Sequence, residues 1–177
     1  LSNNSVVNLQ SESLYSCDIE FHRLVNDIYD CDQCLTIIKS SEANTTKNKV
    51  ESLVQQIDEF LRMKPRNTKS PSILLKGITS KKNSDKLSNS TAAAIYMALY
   101  RKGYAVEVQD NHVLPSQVME KYGIELKTST TKRYDLIVIT VAHDNYQNAT
   151  KEQWAKNCHA HTVILDAYDV KKSVALN

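Results

Sequence analysis

The run Ser72-Ile73-Leu74-Leu75-Lys76-Gly77-Ile78 is short, mostly apolar and without a helical period, and it gives way at once to Thr79, Ser80, Lys81, Lys82 and Asn83. An apolar run of that length fits a central parallel strand covered on both faces. Gly77 stands at its exit. Ser88 or Ser90 can then N-cap a helix that carries Ala92, Ala93, Ala94, Ile95, Ala98 and Leu99. A strand carboxyl end, free loop donors, lysines and a helix N-terminus make a candidate anion site in an open α/β sheet. The loop holds no second glycine, so it is neither GxGxxG nor GxxxxGK[ST]. A solvated loop with surface lysines is the alternative, and these residues alone leave both readings open.

Beyond this stretch strand and helix signals alternate. Tyr104 to Asp110 alternates apolar and polar and ends in an acid. A helix follows from about Pro115 to Tyr122, then a short extended piece from Ile124 to Lys127 and the apolar run Leu136 to Ala142. A helix around Lys151 to Asn157 and the strand Thr162 to Asp166 close the series. Such spacing predicts a parallel sheet with right-handed crossovers, an α/β Rossmann-like three-layer sandwich over residues 72–177. A long helix is expected before it, over 43–64, where Val50, Leu53, Val54, Ile57, Phe60 and Leu61 recur at helical spacing. The Pro-, Lys- and Ser-rich stretch 65–71 reads as a linker. Residues 1–42 read as a helical or irregular segment. Its Ser/Asn-rich start is expected to fray, Ile19, Leu24, Val25, Ile28 and Tyr29 share one helical face, and Leu35, Ile37 and Ile38 continue the apolar pattern.

The chain has 177 residues, 24% of them charged, with a formal net charge of +2, so nothing in it demands nucleic acid or an anionic membrane. Only 3 Gly and 3 Pro favour helices and α/β connections over many hairpins. No apolar run approaches the roughly 20 residues that span a bilayer, and the start LSNNSVVNLQSES lacks the features of a signal peptide; the expected location is cytoplasmic. A first residue that is Leu suggests a piece of something longer. The four cysteines are Cys17, Cys31, Cys34 and Cys158. Cys31 and Cys34 have CxxC spacing inside a helix-like segment, but zinc takes about four ligands and no second pair stands at metal spacing. Their expected role is structural or incidental, and no metal is predicted. His159 and His161 beside Cys158 are expected at the surface.

In a parallel sheet, ligands collect past the carboxyl ends of the strands, here Thr79 to Asn83, Asp110 to His112, His143 to Asn145 and Asp166 to Asp169. Asp110 could accept from a ribose hydroxyl or cap the next turn, and capping is the commoner use of such a residue. His143 offers a pH-sensitive group, although a lone histidine at a strand end is ordinarily a surface residue. No nucleophile with its base, carboxylate pair or metal triad is legible, so no catalytic residue is assigned.

Taken together, GITSKKN, LSNS, VEVQDN, EKYGIEL, YDLIVITVAHDNY and VILDAYDV resemble, in order and spacing, the carboxyl-terminal nucleotide-sugar-binding domain of the UDP-glucose/GDP-mannose dehydrogenases. The resemblance runs from about Asn44 to Val170. It implies the carboxyl-terminal part of an NAD-dependent nucleotide-sugar 6-dehydrogenase of the UDP-glucose or UDP-hexosamine type, serving polysaccharide precursor synthesis. Thr79, Ser80, Lys81, Asn83 and Asp110 would contact the nucleotide-sugar, and the 43–64 helix would build a homodimer. NAD would serve the complete enzyme. The chain departs from the family where an aromatic residue gives way to Ser80, where aspartate and arginine give way to Lys86 and Ser88, and where proline gives way to Asn111. Lysine cannot reproduce the bidentate fork of arginine, so these departures also fit a second reading, a non-catalytic binding or interaction module descended from the domain. A third, an independent small α/β enzyme, finds no catalytic constellation to support it.

Overall fold

The computed structural model describes residues 34–39, 46–63, 71–159 and 162–166. In chain order they form β1 (Cys34–Lys39), α1 (Thr46–Met63), β2 (Ser72–Lys76), α2 (Thr91–Arg101), β3 (Ala105–Gln109), α3 (Pro115–Tyr122), β4 (Leu126–Lys127), β5 (Leu136–Ile139), α4 (Asp144–Gln147), α5 (Lys151–Ala155) and β6 (Thr162–Asp166). The six strands make one sheet in the order β1-β6-β5-β2-β3-β4, and every pairing is parallel.

The central strands are apolar throughout because both of their faces are covered. Ile73, Leu75, Leu136, Val138, Val163 and Leu165 turn one way, into a core shared with Leu53 and Ile57 of α1, Ile95 and Leu99 of α2 and Val118 of α3. Leu74, Ile137, Ile139 and Ile164 turn the other way, onto Tyr146 of α4, Trp154 of α5 and Cys158. The alternation of strand side chains thus produces the three layers expected from the sequence. Helix starts follow local chemistry. Ser90, not Ser88, caps α2, accepting from the Ala93 N–H at 3.0 Å. Pro115 fills the first position of α3, and Gly123 ends it at φ 66°, where the left-handed region favours glycine.

One segment differs from the expectation. Cys34–Lys39, read from Leu35, Ile37 and Ile38 as a helical continuation, is a strand pairing along β6 from Thr162 to Asp166. A short apolar run is compatible with either state, and here a distant strand supplies the partner that decides it. Cys34 therefore opens a strand. The expectations for residues 1–33, including Cys31, for the linker after Met63 and for the turn after Asp166 lie outside the described residues.

Strands β2, β3 and β4 step outward on one side, and β5, β6 and β1 lie on the other. The direction of winding reverses between β2 and β5. Their carboxyl ends lie side by side at that point, which is where an open α/β sheet receives a ligand in its crevice.

Candidate functional site

The crevice is built by three loops, those that follow β2, β3 and β5. Gly77, at φ 102°, leads the chain out of β2, and its N–H donates to the Gln109 carbonyl at 2.8 Å. Thr140 ties the β5 exit to the same place, its hydroxyl donating to the carbonyls of Lys76 and Gly77 at 2.9 and 2.7 Å. These bonds hold the mouths of β2, β3 and β5 in fixed register.

Asp110, at the end of β3, is fully buried beneath the crevice. Its Oδ2 accepts from the Ile78 and Thr79 N–H groups at 2.8 and 3.3 Å and lies 3.2 Å from His143 Nε2. Its Oδ1 accepts from the His112 N–H at 2.8 Å and faces His112 Nδ1 at 3.2 Å. Burial pushes this carboxyl up, but the hydrogen bonds from His143, Ile78 and His112 and the nearby His143 ring outweigh it and hold the group at about 2. Asp110 is therefore an anion at neutral pH, fixed by backbone donors.

His143 is the hub. It too is fully buried. Its Nδ1 accepts from the Asn83 N–H at 2.9 Å, so in the neutral ring the proton sits on Nε2 and is shared between Asp110 Oδ2 and Thr79 Oγ1, the latter at 3.1 Å. Thr79 Oγ1 is free to accept because its own hydrogen goes to the Lys81 carbonyl at 3.1 Å. The His112 ring lies flat on that of His143, with centroids 3.9 Å apart, and Tyr146 meets it edge-on. The Asn83 side chain closes the loop onto α4, accepting from the Asp144 N–H at 3.0 Å and donating to the Asp144 carboxylate. Lys82 pairs with Asp144 and donates to Gln147 at 2.8 Å.

Asp110, His112 and His143 bring their ligating atoms within 4.8 Å of one another. A metal on His143 Nε2 would require the proton on Nδ1, which would then face the Asn83 N–H with no lone pair to offer. The geometry fits a hydrogen-bonded lock rather than a metal centre.

Of the residues chosen from sequence, Thr79, Asn83 and Asp110 meet at this lock, through the shared imidazole. Ser80 stands apart and turns the loop back on itself, its N–H and hydroxyl both donating to the Lys86 carbonyl. Lys81 is exposed on the loop. Among the described residues neither the Lys81 nor the Lys86 ammonium meets a carboxylate, so both are available to an anion. The expectation of a surface His143 is overturned, because loops from three strands converge over it. His143, weighed from the sequence as a pH-sensitive group, and His112, named there only as a strand-end residue, complete the lock without having been among the residues chosen. Their signal was position, since both follow strand ends flanking the reversal of the sheet.

A parallel α/β sheet with a polar, cation-rimmed crevice at its point of reversal defines a Rossmann-like ligand-binding domain. The match is specific: residues 74–173 fit the model of the UDP-binding domain of the UDP-glucose/GDP-mannose dehydrogenase family, and the chain belongs to that family. It is similar to the UDP-N-acetyl-D-glucosamine 6-dehydrogenase of Pseudomonas aeruginosa, 33% identical over 95 residues, which are 53% of this chain and 22% of that protein. Among solved structures it is similar in fold to the UDP-N-acetyl-mannosamine dehydrogenase Cap5O of Staphylococcus aureus. The TM-score is 0.56 at 20% identity, over 70% of this chain and 27% of that one. It is similar likewise to a UDP-glucose dehydrogenase of the archaeon Pyrobaculum islandicum, with TM-score 0.56 at 17% identity, over 73% of this chain and 28% of that one. The chain thus spans about a quarter of the length of these relatives.

Proposed function

We propose that this chain binds the nucleotide end of a UDP-sugar in the crevice between β2 and β5, as the carboxyl-terminal part of an NAD-dependent nucleotide-sugar 6-dehydrogenase. The observation that carries this is the locked loop Thr79–Asn83, which holds the exposed Lys81 at the reversal point of a sheet belonging to the dehydrogenase family. The loop contains a single glycine, already packed against Val141, and so does not fit the close backbone approach a dinucleotide pyrophosphate needs. NAD would belong to other residues of the complete enzyme, in the cytoplasm where its substrates are made.

A homodimer through α1 goes with this reading. Leu53, Val54, Ile57 and Leu61 of that helix are spent on this chain's own core, but Val50 and Phe60 at the flank are only partly covered. The second reading, a binding module without catalysis, draws support from Ser80, whose hydroxyl is used to hold the loop.

Calorimetric titration with UDP-glucose, UDP and GDP-mannose tests the proposal, with Lys81→Ala in parallel. Saturable binding of the uridine ligands, weakened about tenfold or more in the variant, is the expected result. Absence of heat with all three would overturn it.

A further inference from the structure

We propose that His143 is the positioning residue of the ligand loop and holds it only as a neutral imidazole, so that a proton on His143 releases Thr79–Asn83 and empties the crevice. This rests on the nucleotide-sugar reading for the ligand, though the latch itself stands on hydrogen-bond directions alone. The Nε2 side of the ring is spoken for, facing Asp110 Oδ2 and Thr79 Oγ1. A second proton can go only to Nδ1, which now accepts the Asn83 N–H at 2.9 Å. Two N–H groups would then point at each other where the exposed Asn83 covers a ring that is itself fully buried, and the two must part for either to find an acceptor.

Titratable and charged groups face the His143 ring from several elements. From the β3 end Asp110 favours positive charge, but it already receives the Nε2 proton. The stacked His112, 25% exposed at its side chain, presents Nδ1 to Asp110 Oδ1. From α4, Tyr146 stays a neutral phenol, its hydroxyl donating to the Gln109 carbonyl at 3.1 Å, with the Lys76 ammonium 5.6 Å from its ring centre. The Lys82–Asp144 pair lies over Asn83 at the surface. A charge on His112 would oppose a charge on the His143 ring stacked against it, 3.9 Å away between centroids.

The test is a pH series on the full chain from about pH 8 to 4.5, the span in which histidines titrate, with UDP-glucose as probe because neither of its phosphates changes charge there. Nitrogen-resolved NMR follows the His143 ring and the Asn83 amide without ligand, and calorimetry follows binding. The latch predicts an Nε2-protonated ring at high pH, an Asn83 amide that shifts when His143 takes its proton, and affinity falling about tenfold with it. His143→Asn keeps an acceptor where Nδ1 stands and cannot titrate, so its affinity stays level across the series. His143→Gln keeps only the Nε2-like donor and binds weakly throughout. His112→Phe keeps the stacking but removes the opposing charge, and loop release moves to higher pH. An Asn83 amide that stays put while the wild-type His143 titrates overturns the latch, as does an unchanged pH profile in His143→Asn. An amide that responds as expected with no UDP-glucose binding at any pH upholds the latch and sinks the nucleotide-sugar reading instead.

Discussion

Gly77 and Val141 stand against each other where β2 and β5 leave the sheet, so close that a Cβ on Gly77 would lie 2.6 Å from Val141 Cβ, 2.8 Å from Cγ2 and 3.1 Å from the Val141 nitrogen. Gly77 also holds φ 102°, which side-chain-bearing residues avoid. Gly77→Ala should therefore destabilise the domain by about 3 kcal/mol, from overpacking and backbone strain together. Urea unfolding would measure it. Val141→Ala in the same chain should restore little, because the nearest atom is a Cβ that alanine retains and the dihedral strain is untouched. Full recovery in the double variant would show that simple side-chain crowding was the whole effect.

Asp110 sets an acid limit on the fold. Its carboxyl is held at about 2, below the ordinary 3.8, so the native state favours its charged form. A depressed carboxylate contributes stability that is present above the unfolded value and lost as pH falls through the folded one. The contribution is about 2 kcal/mol at neutral pH, lost between about pH 4 and 2. Asp110→Asn removes the charge that the Ile78, Thr79 and His112 N–H groups share, and should cost about 3 kcal/mol at pH 7. Its stability curve should be flatter than that of the wild type below pH 4. Equal acid slopes in denaturant titrations of the two proteins would contradict this assignment.

How much of this was readable beforehand depended on how local the cause was. β2, β5 and β6 announce themselves as apolar runs because both faces are buried, and Pro115 with Gly123 brackets α3 by backbone chemistry alone. β1 is the counterexample. Whether Leu35 to Ile38 coil or extend is settled by β6, more than a hundred residues away in sequence. The single turn α4 carries no periodicity to detect. Thr79, Asn83 and Asp110 could be picked as polar groups at strand ends, but that they share one imidazole follows from the crossover placing β5 beside β2. A histidine seen alone gives no hint of burial; three loops closing over it do.

The docking of α1 should depend on one hydroxyl. Tyr104 donates to Asp58 Oδ1 at 2.5 Å, while Lys102 and Arg62 approach Asp58 Oδ2 at 3.1 and 3.0 Å. The Tyr104 bond, with help from Lys102 and Arg62 and against burial, keeps the Asp58 carboxyl below its usual range. Burial and the bond to Asp58 push the Tyr104 phenol up to about 12. Tyr104→Phe should cost about 1 kcal/mol and should not add fully to the effect of Asp58→Asn. Thermal unfolding of the two single variants and the double variant measures the coupling. Strict additivity would mean that the contact contributes nothing to holding the helix.

Lys76 should give the chain a stability that rises with pH where most domains level off. Its side chain leaves β2 on the face opposite α1 and lies over the rings of Trp154 and Tyr146, 5.1 and 5.6 Å from their centres. Its ammonium donates to Gln109 Oε1 at 3.1 Å and reaches Asn157 Oδ1 at 3.5 Å. Burial lowers this amine to about 8, and the neighbouring Cys158 thiol opposes the shift only in part. A base whose folded value lies below its unfolded one binds fewer protons when folded, so the charged form carries a penalty at neutral pH. That penalty is relieved as pH climbs from about 8 towards 10.5. Above about pH 10 the buried tyrosines, whose phenols are pushed up, act in the opposite sense, so the informative window is pH 8 to 9.5. Urea midpoints of the wild type should rise across that window, and those of Lys76→Met should stay level. A wild type as flat as the variant would mean that Lys76 keeps its proton in the fold, with the aromatic faces and the two amide oxygens replacing the water it gave up.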